Sequence, residues 1–168
     1  MIATLAAPLK YTSQVGLVPH AHTPAEHIID WATDSVVHHA ILGITEEICI
    51  SLEPQGAVLR YISRFPDAIW SRWNHTPKQQ ADILQFGHDH IDAKYGWLQD
   101  LAIGIAHLSN EKTPQFIQNY LSSDKTYECA QFCDAALTYA GIHLFKDVVP
   151  AAVYPGMFYD VYKELGWV

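Results

Sequence analysis

Two side chains in this sequence have the types and settings that covalent catalysis needs, Cys129 and His39. Thr126 reads as an N-cap, which places Cys129 in the first turn of a helix running from Tyr127 to Ala140. There the unpaired N–H groups and the positive end of the helix dipole stabilise a thiolate, the nucleophilic form of cysteine. His39 enters an apolar run, Ala40-Ile41-Leu42-Gly43. A polar ring in such a run needs a partner, and taking a proton from a thiol would supply one. His38 points to the other strand face by alternation, so only one of the pair can serve. The plainer readings are a buried cysteine acting as a small hydrophobe and a hydrogen-bonded structural histidine. Cys133, one turn deeper among Phe132, Ala136 and Leu137, fits that plainer reading better than Cys129 does.

Other side chains offer rival chemistry. His20 and His22, His38 and His39, and His88 and His90 could gather a metal ion, since neutral imidazole is a common ligand. Two histidines at i and i+2 share a strand face, but on a helix they diverge by about 200°, which counts against His88 and His90. No H-E-x-x-H motif occurs, and histidines scattered over a solvated surface explain the pattern as well. The stretch Trp70-Ser71-Arg72-Trp73-Asn74-His75 could line a substrate groove, because paired indoles favour flat or amphipathic ligands, or could cover a core edge. No pair of carboxylates stands at a spacing that suggests glycoside hydrolysis.

The elements that must position these residues fall into two halves. Val36 to Ile62 reads as three short strands, VVHHAILGI, EICISL and AVLRYI, broken at Glu46-Glu47 and Pro54-Gln55-Gly56, hence an antiparallel meander. Before it, Thr23-Pro24 starts a helix. After it, Thr76-Pro77 opens a helix to about Lys94, with Ile83, Leu84, Phe86 and Ile91 as its core face and Gly87 as a weak point. Further helices are expected over 97–108 and 114–121, and Gly141 stands where a C′ glycine closes the helix of Cys129. Strands followed by helices imply an α+β fold in one domain over 1–168.

Composition narrows the partners. The net charge of −8, with ten Lys and Arg spread along the chain, argues against nucleic acid and anionic membranes. No apolar run reaches the roughly 20 residues that span a bilayer. The N-terminus lacks the basic region of a signal peptide, so a cytoplasmic or virion-associated location is expected. Cys49, Cys129 and Cys133 form no disulfide framework, and their odd number suggests free thiols.

Three segments carry a family resemblance. WATDSVVHHAILGITEEICISLEPQGAV, KYGWLQDLAIGI and YECAQFCDAALTYAGIHLF, about half the chain, resemble circularly permuted NlpC/P60 proteins of the YiiX-like group, which includes hydrolase-like proteins of actinobacterial phages. The order, with histidine before cysteine, is that of the permuted family. The resemblance implies a permuted papain-like fold with a small antiparallel sheet packed against helices. It implies Cys129 as nucleophile, His39 as general base and Tyr95 as the aromatic residue that helps hold the oxyanion. The third polar residue, which orients the histidine, falls on Ser51, where the family usually has Glu or His; Pro54 and Gly56 keep the register. Glu53, two residues on and so on the same strand face, could substitute in part. Ala130 stands where a serine usually follows the cysteine, a smaller departure because the oxyanion would still meet backbone N–H.

The expected activity is that of a cysteine hydrolase, acting on a peptide, amide or acyl substrate, peptidoglycan among them, through an acyl-enzyme and without a cofactor. The alternatives are a lipid acyltransferase or thioesterase, a metal-dependent hydrolase using the histidines, and a non-catalytic binding or virion structural protein that keeps the fold. Ser51 is the residue that favours the last.

Overall fold

The computed structural model describes residues 10–19, 36–95 and 126–168. Five antiparallel strands form the main sheet: β1 Val15–Val18, β2 His39–Gly43, β3 Ile48–Glu53, β4 Gly56–Tyr61 and β5 Ile69–Trp70, in the order β4-β3-β2-β1-β5. The expected meander is β2-β3-β4, with Ile41 opposite Ser51 and Ser51 opposite Val58. β1 and β5 extend it on the β2 side, Val18 pairing with His39 and Gly16 with Trp70. A second, parallel pair joins β6 Lys94–Tyr95 to β7 Thr126–Tyr127. Among the described residues the α-helices are α1 Pro77–Asp89, α2 Cys129–Tyr139 and α3 Pro155–Glu164. The class is α+β, as expected. The helices expected near Thr23-Pro24 and over 97–108 and 114–121 lie outside the described residues.

Strand alternation sorts the core into two clusters. Leu17, Ala40, Leu42, Ile50 and Leu52 face the helices and pack with Ile83 and Phe86 of α1, Phe132 and Leu137 of α2, and Phe158 and Tyr162 of α3. Val18, Ile41 and Cys49 face the other way and pack with Ile62 and Phe65 of the segment that follows β4.

Local chemistry explains the helix ends. In α1, Thr76 accepts from the Gln79 backbone and the Gln79 side chain accepts from the Thr76 N–H, a capping box with Pro77 at the first helical position. The helix stops at Asp89 rather than Lys94, and Ile91, expected on its core face, is exposed. Gly87, which reads as a weak point, is instead where the helix meets the sheet: a Cβ there would stand 2.9 Å from Ile44 Cδ1 and 3.1 Å from Ile50 Cδ1. α2 closes as expected, with Gly141 at φ +77 and its N–H donating to Thr138 O.

Candidate active site

Cys129 begins α2, but not with the cap that its sequence suggests. Thr126 is taken by β7, where its backbone pairs with Lys94, and Glu128 occupies the N-cap. The Glu128 N–H donates to the Gln131 side chain at 3.2 Å. Cys129 is thus the first helical residue, even nearer the N–H-rich end than Thr126 capping would have put it. It is buried, 4% exposed, in the helix-side cluster, and α2 packs against that face of β2 and β3.

Burial raises the pKa of the other two thiols. Enclosure among apolar neighbours pushes the Cys49 thiol up to about 12, and the fully enclosed Cys133 is also raised well above the ordinary range. Both stay protonated at neutral pH, and a protonated thiol is a poor nucleophile.

His39 and Ser51 come together. Ser51 is paired with Ile41, so His39 is its diagonal neighbour on the adjacent strand, and His39 Nε2 lies 2.9 Å from Ser51 Oγ. Both residues are buried, Ser51 almost completely. Phe65 covers the imidazole, with 6.3 Å between ring centroids. Val37, two residues before His39, belongs to the helix-side cluster, whereas Ile41, two residues after it, belongs to the opposite one. His39 itself is paired with Val18 and lies against Phe65, both of that opposite cluster, so it shares with Ser51 the face of Ile41 and Cys49, while Cys129 belongs to the helix-side cluster.

Glu53 does not share this contact. Its carboxylate accepts from Arg60 Nε at 2.6 Å and Arg60 Nη2 at 2.5 Å, and from Gln55 Nε2 at 2.5 Å. Partial burial opposes its ionisation, but the Arg60 hydrogen bonds and charge outweigh it and lower its pKa. The expected substitute for Ser51 is therefore committed to Arg60. The backbone of Tyr95 lies opposite Tyr127 in the parallel pair, and Tyr127 precedes Cys129 by two residues; the Tyr95 side chain lies outside the described residues.

The metal arrangement does not form among the described residues, where no group of three or more His, Cys, Asp and Glu side chains gathers to hold an ion. His90 Nδ1–H donates to Phe86 O at 2.8 Å, and its ring stacks on Phe86 at 4.0 Å, while His88 is exposed beside Asp89. His20 and His22 lie outside the described residues. Among those residues no helix is long and apolar enough to cross a membrane.

The aromatic stretch does line a groove. Trp70 and Trp73, with Tyr11 and Phe65, wall an open cavity of about 680 Å³ on the side of the sheet that carries Ile41 and Cys49. Two glycines make room for it. A Cβ on Gly16 would stand 3.1 Å from the Trp70 indole, and one on Gly43 would stand 3.2 Å from it and 1.9 Å from Tyr11 O. Beneath, Gln14 ties the segments together, accepting from Ser71 Oγ at 2.6 Å and donating to Trp73 O at 2.9 Å. Sequence reasoning missed Phe65, Gly16 and Gly43. Phe65 has no spacing signal, and the glycines are explained only by partners on distant segments. It also missed Glu46, whose carboxylate accepts the backbone N–H groups of Lys10, Tyr11 and Thr12 and so fixes one wall of the groove.

Compared with known proteins, the chain matches no family model and no curated protein.

Proposed function

We propose that the chain is a cysteine hydrolase of the permuted NlpC/P60 kind, in which Cys129 is the nucleophile, His39 the general base and Ser51 the group that orients His39. The observation that carries the reading is the buried bond between His39 Nε2 and Ser51 Oγ. A histidine that serves as a base needs one ring nitrogen held and the other turned to its substrate. With Nε2 engaged by Ser51, proton exchange falls to Nδ1. Cys129 at the first position of α2 adds a local reason for a thiolate.

In the proposed reaction the Cys129 thiolate attacks a carbonyl carbon, and the developing oxyanion is held by backbone N–H at the helix start with help from Tyr95. The C–N bond of an amide, or the C–O bond of an ester, breaks as His39 returns its proton to the leaving atom. Water, deprotonated by His39, then cleaves the thioester and frees the acid and the thiol. Ser51 can hydrogen-bond to His39 but supplies no charge to the imidazolium, so the triad is weaker than one with a carboxylate. That same feature favours the second reading, a binding protein that keeps the fold without efficient turnover.

Intact-mass analysis after exposure to p-nitrophenyl acetate tests the first reading. One acetyl group on Cys129, absent from Cys129→Ala and much reduced in His39→Ala, is the expected result. Acetylation of Cys49 or Cys133 instead, or none of Cys129, overturns it.

A further inference from the structure

The groove over Trp70 has three properties that point to one kind of ligand. Its floor is aromatic, formed by Trp70 with the Tyr11 ring 4.9 Å from it between centroids. Its charge opposes that of the chain: in a protein of net charge −8, the charged residues lining it among the described residues are Lys10 and Arg72, with the Glu46 carboxylate behind the wall held by the backbone of Lys10 and Tyr11. Among the described residues its wall is a sheet edge: there β5 is the last strand beyond β1, and the Ser71 N–H donates to Val15 O in the register that pairs Gly16 with Trp70. Antiparallel alternation then turns the backbone groups of Ile69 and Ser71 toward β1 and those of Trp70 and Arg72 away from it.

We propose that this groove binds an extended acidic peptide, which adds as a strand beside β5. Its main chain pairs with Trp70 and Arg72, one apolar or aromatic side chain rests on the Trp70 indole, and its carboxylates meet Lys10 and Arg72. The volume of about 680 Å³ suits a few residues of such a segment. A small carboxylate would meet the two cations but leave the strand edge unused. A second copy of the chain would bring its own net charge of −8 and be repelled. Glu46 is the positioning residue of the site, because its carboxylate holds the backbone of Lys10 and Tyr11 in place. The site needs no chemistry at Cys129 and stands whether or not the hydrolase reading does.

Fluorescence anisotropy of a fluorescein-labelled Asp-Phe-Asp-Val-Asp peptide, titrated with the full chain, tests the proposal. Controls are the Lys-Phe-Lys-Val-Lys peptide and an acidic peptide N-methylated at alternate residues. Saturable binding of the acidic peptide, at least tenfold weaker binding of both controls, and a tenfold loss in Arg72→Glu are expected. Arg72 is exposed and donates to Trp167 O at 3.3 Å. Should its replacement not fold, Lys10→Glu and the N-methylated peptide on the wild-type chain make the same comparison. No binding of the acidic peptide, equal binding of the acidic and basic peptides, or undiminished binding of the N-methylated one overturns the proposal. So does dimerisation of the chain that the peptide does not displace.

Discussion

His39 Nε2 and Ser51 Oγ meet at 2.9 Å across two paired strands, in a place that water scarcely reaches. A neutral hydroxyl and an imidazole so placed gain only about 1 kcal/mol net from their bond, but each would lose more by being left alone. Their contact therefore fixes the orientation of the ring more than it stabilises the fold.

Removing the hydroxyl tests that. Ser51→Ala leaves Nε2 buried beside a methyl group, at a cost of about 1–3 kcal/mol. If the loss falls on the oriented base, turnover drops about five- to 150-fold with a smaller change in KM. Steady-state kinetics on an activated ester reads both. An unchanged kcat means that Ser51 does not orient a catalytic base.

Glu53→Gln is the companion variant. It breaks the Arg60 pair and leaves the His39–Ser51 contact untouched. Thermal stability is expected to fall slightly and turnover to stay within about twofold, an energy difference of about 0.4 kcal/mol. A large loss of kcat would return Glu53 to the site.

Acid stability should depend on Glu46. Burial works against its charge, but the N–H groups of Tyr11 and Thr12, the Thr12 hydroxyl and the Lys10 N–H outweigh it and lower its pKa from 4.5. A carboxylate depressed in the folded state stabilises the protein above its unfolded pKa, and that stability is lost as pH falls through the folded value. Melting temperature measured from pH 7 downward is thus expected to fall below about pH 4.5 less steeply in Glu46→Gln than in wild type. Parallel curves would contradict this.

Two glycine replacements should separate sharply. In Gly87→Ala a helix-propensity gain of about 1 kcal/mol is set against contacts with the mobile ends of Ile44 and Ile50, so stability changes by less than about 1 kcal/mol. In Gly43→Ala the new methyl meets Tyr11 O at 1.9 Å, which is backbone, and destabilisation beyond about 3 kcal/mol is expected. Urea unfolding of both variants makes the comparison.

How far the sequence discloses this arrangement depends on the range of the forces involved. The β2-β3-β4 meander is readable because short apolar runs and the Pro54-Gln55-Gly56 break are local signals. β1 is not, because Gly16 interrupts an already short VGLV run, and its reason for being glycine is the Trp70 indole on a distant segment. Ser51 is placed only by the family resemblance, whereas the commitment of Glu53 to Arg60 depends on the pairing of β3 with β4. Thr126 looks like a cap because threonine usually is one, and only its pairing with Lys94 takes it into a strand and leaves the N-cap to Glu128.

Activation of Cys129 by His39 is read from the pH-dependent rate of alkylation by iodoacetamide, followed by peptide mapping. Cys49 and Cys133, whose thiols burial holds protonated, serve as internal references. At pH 7 Cys129 is expected to be alkylated well ahead of both in wild type, and at least tenfold more slowly in His39→Ala. Alkylation of Cys129 at the same rate with and without His39, or no faster than that of Cys49 and Cys133, would contradict it.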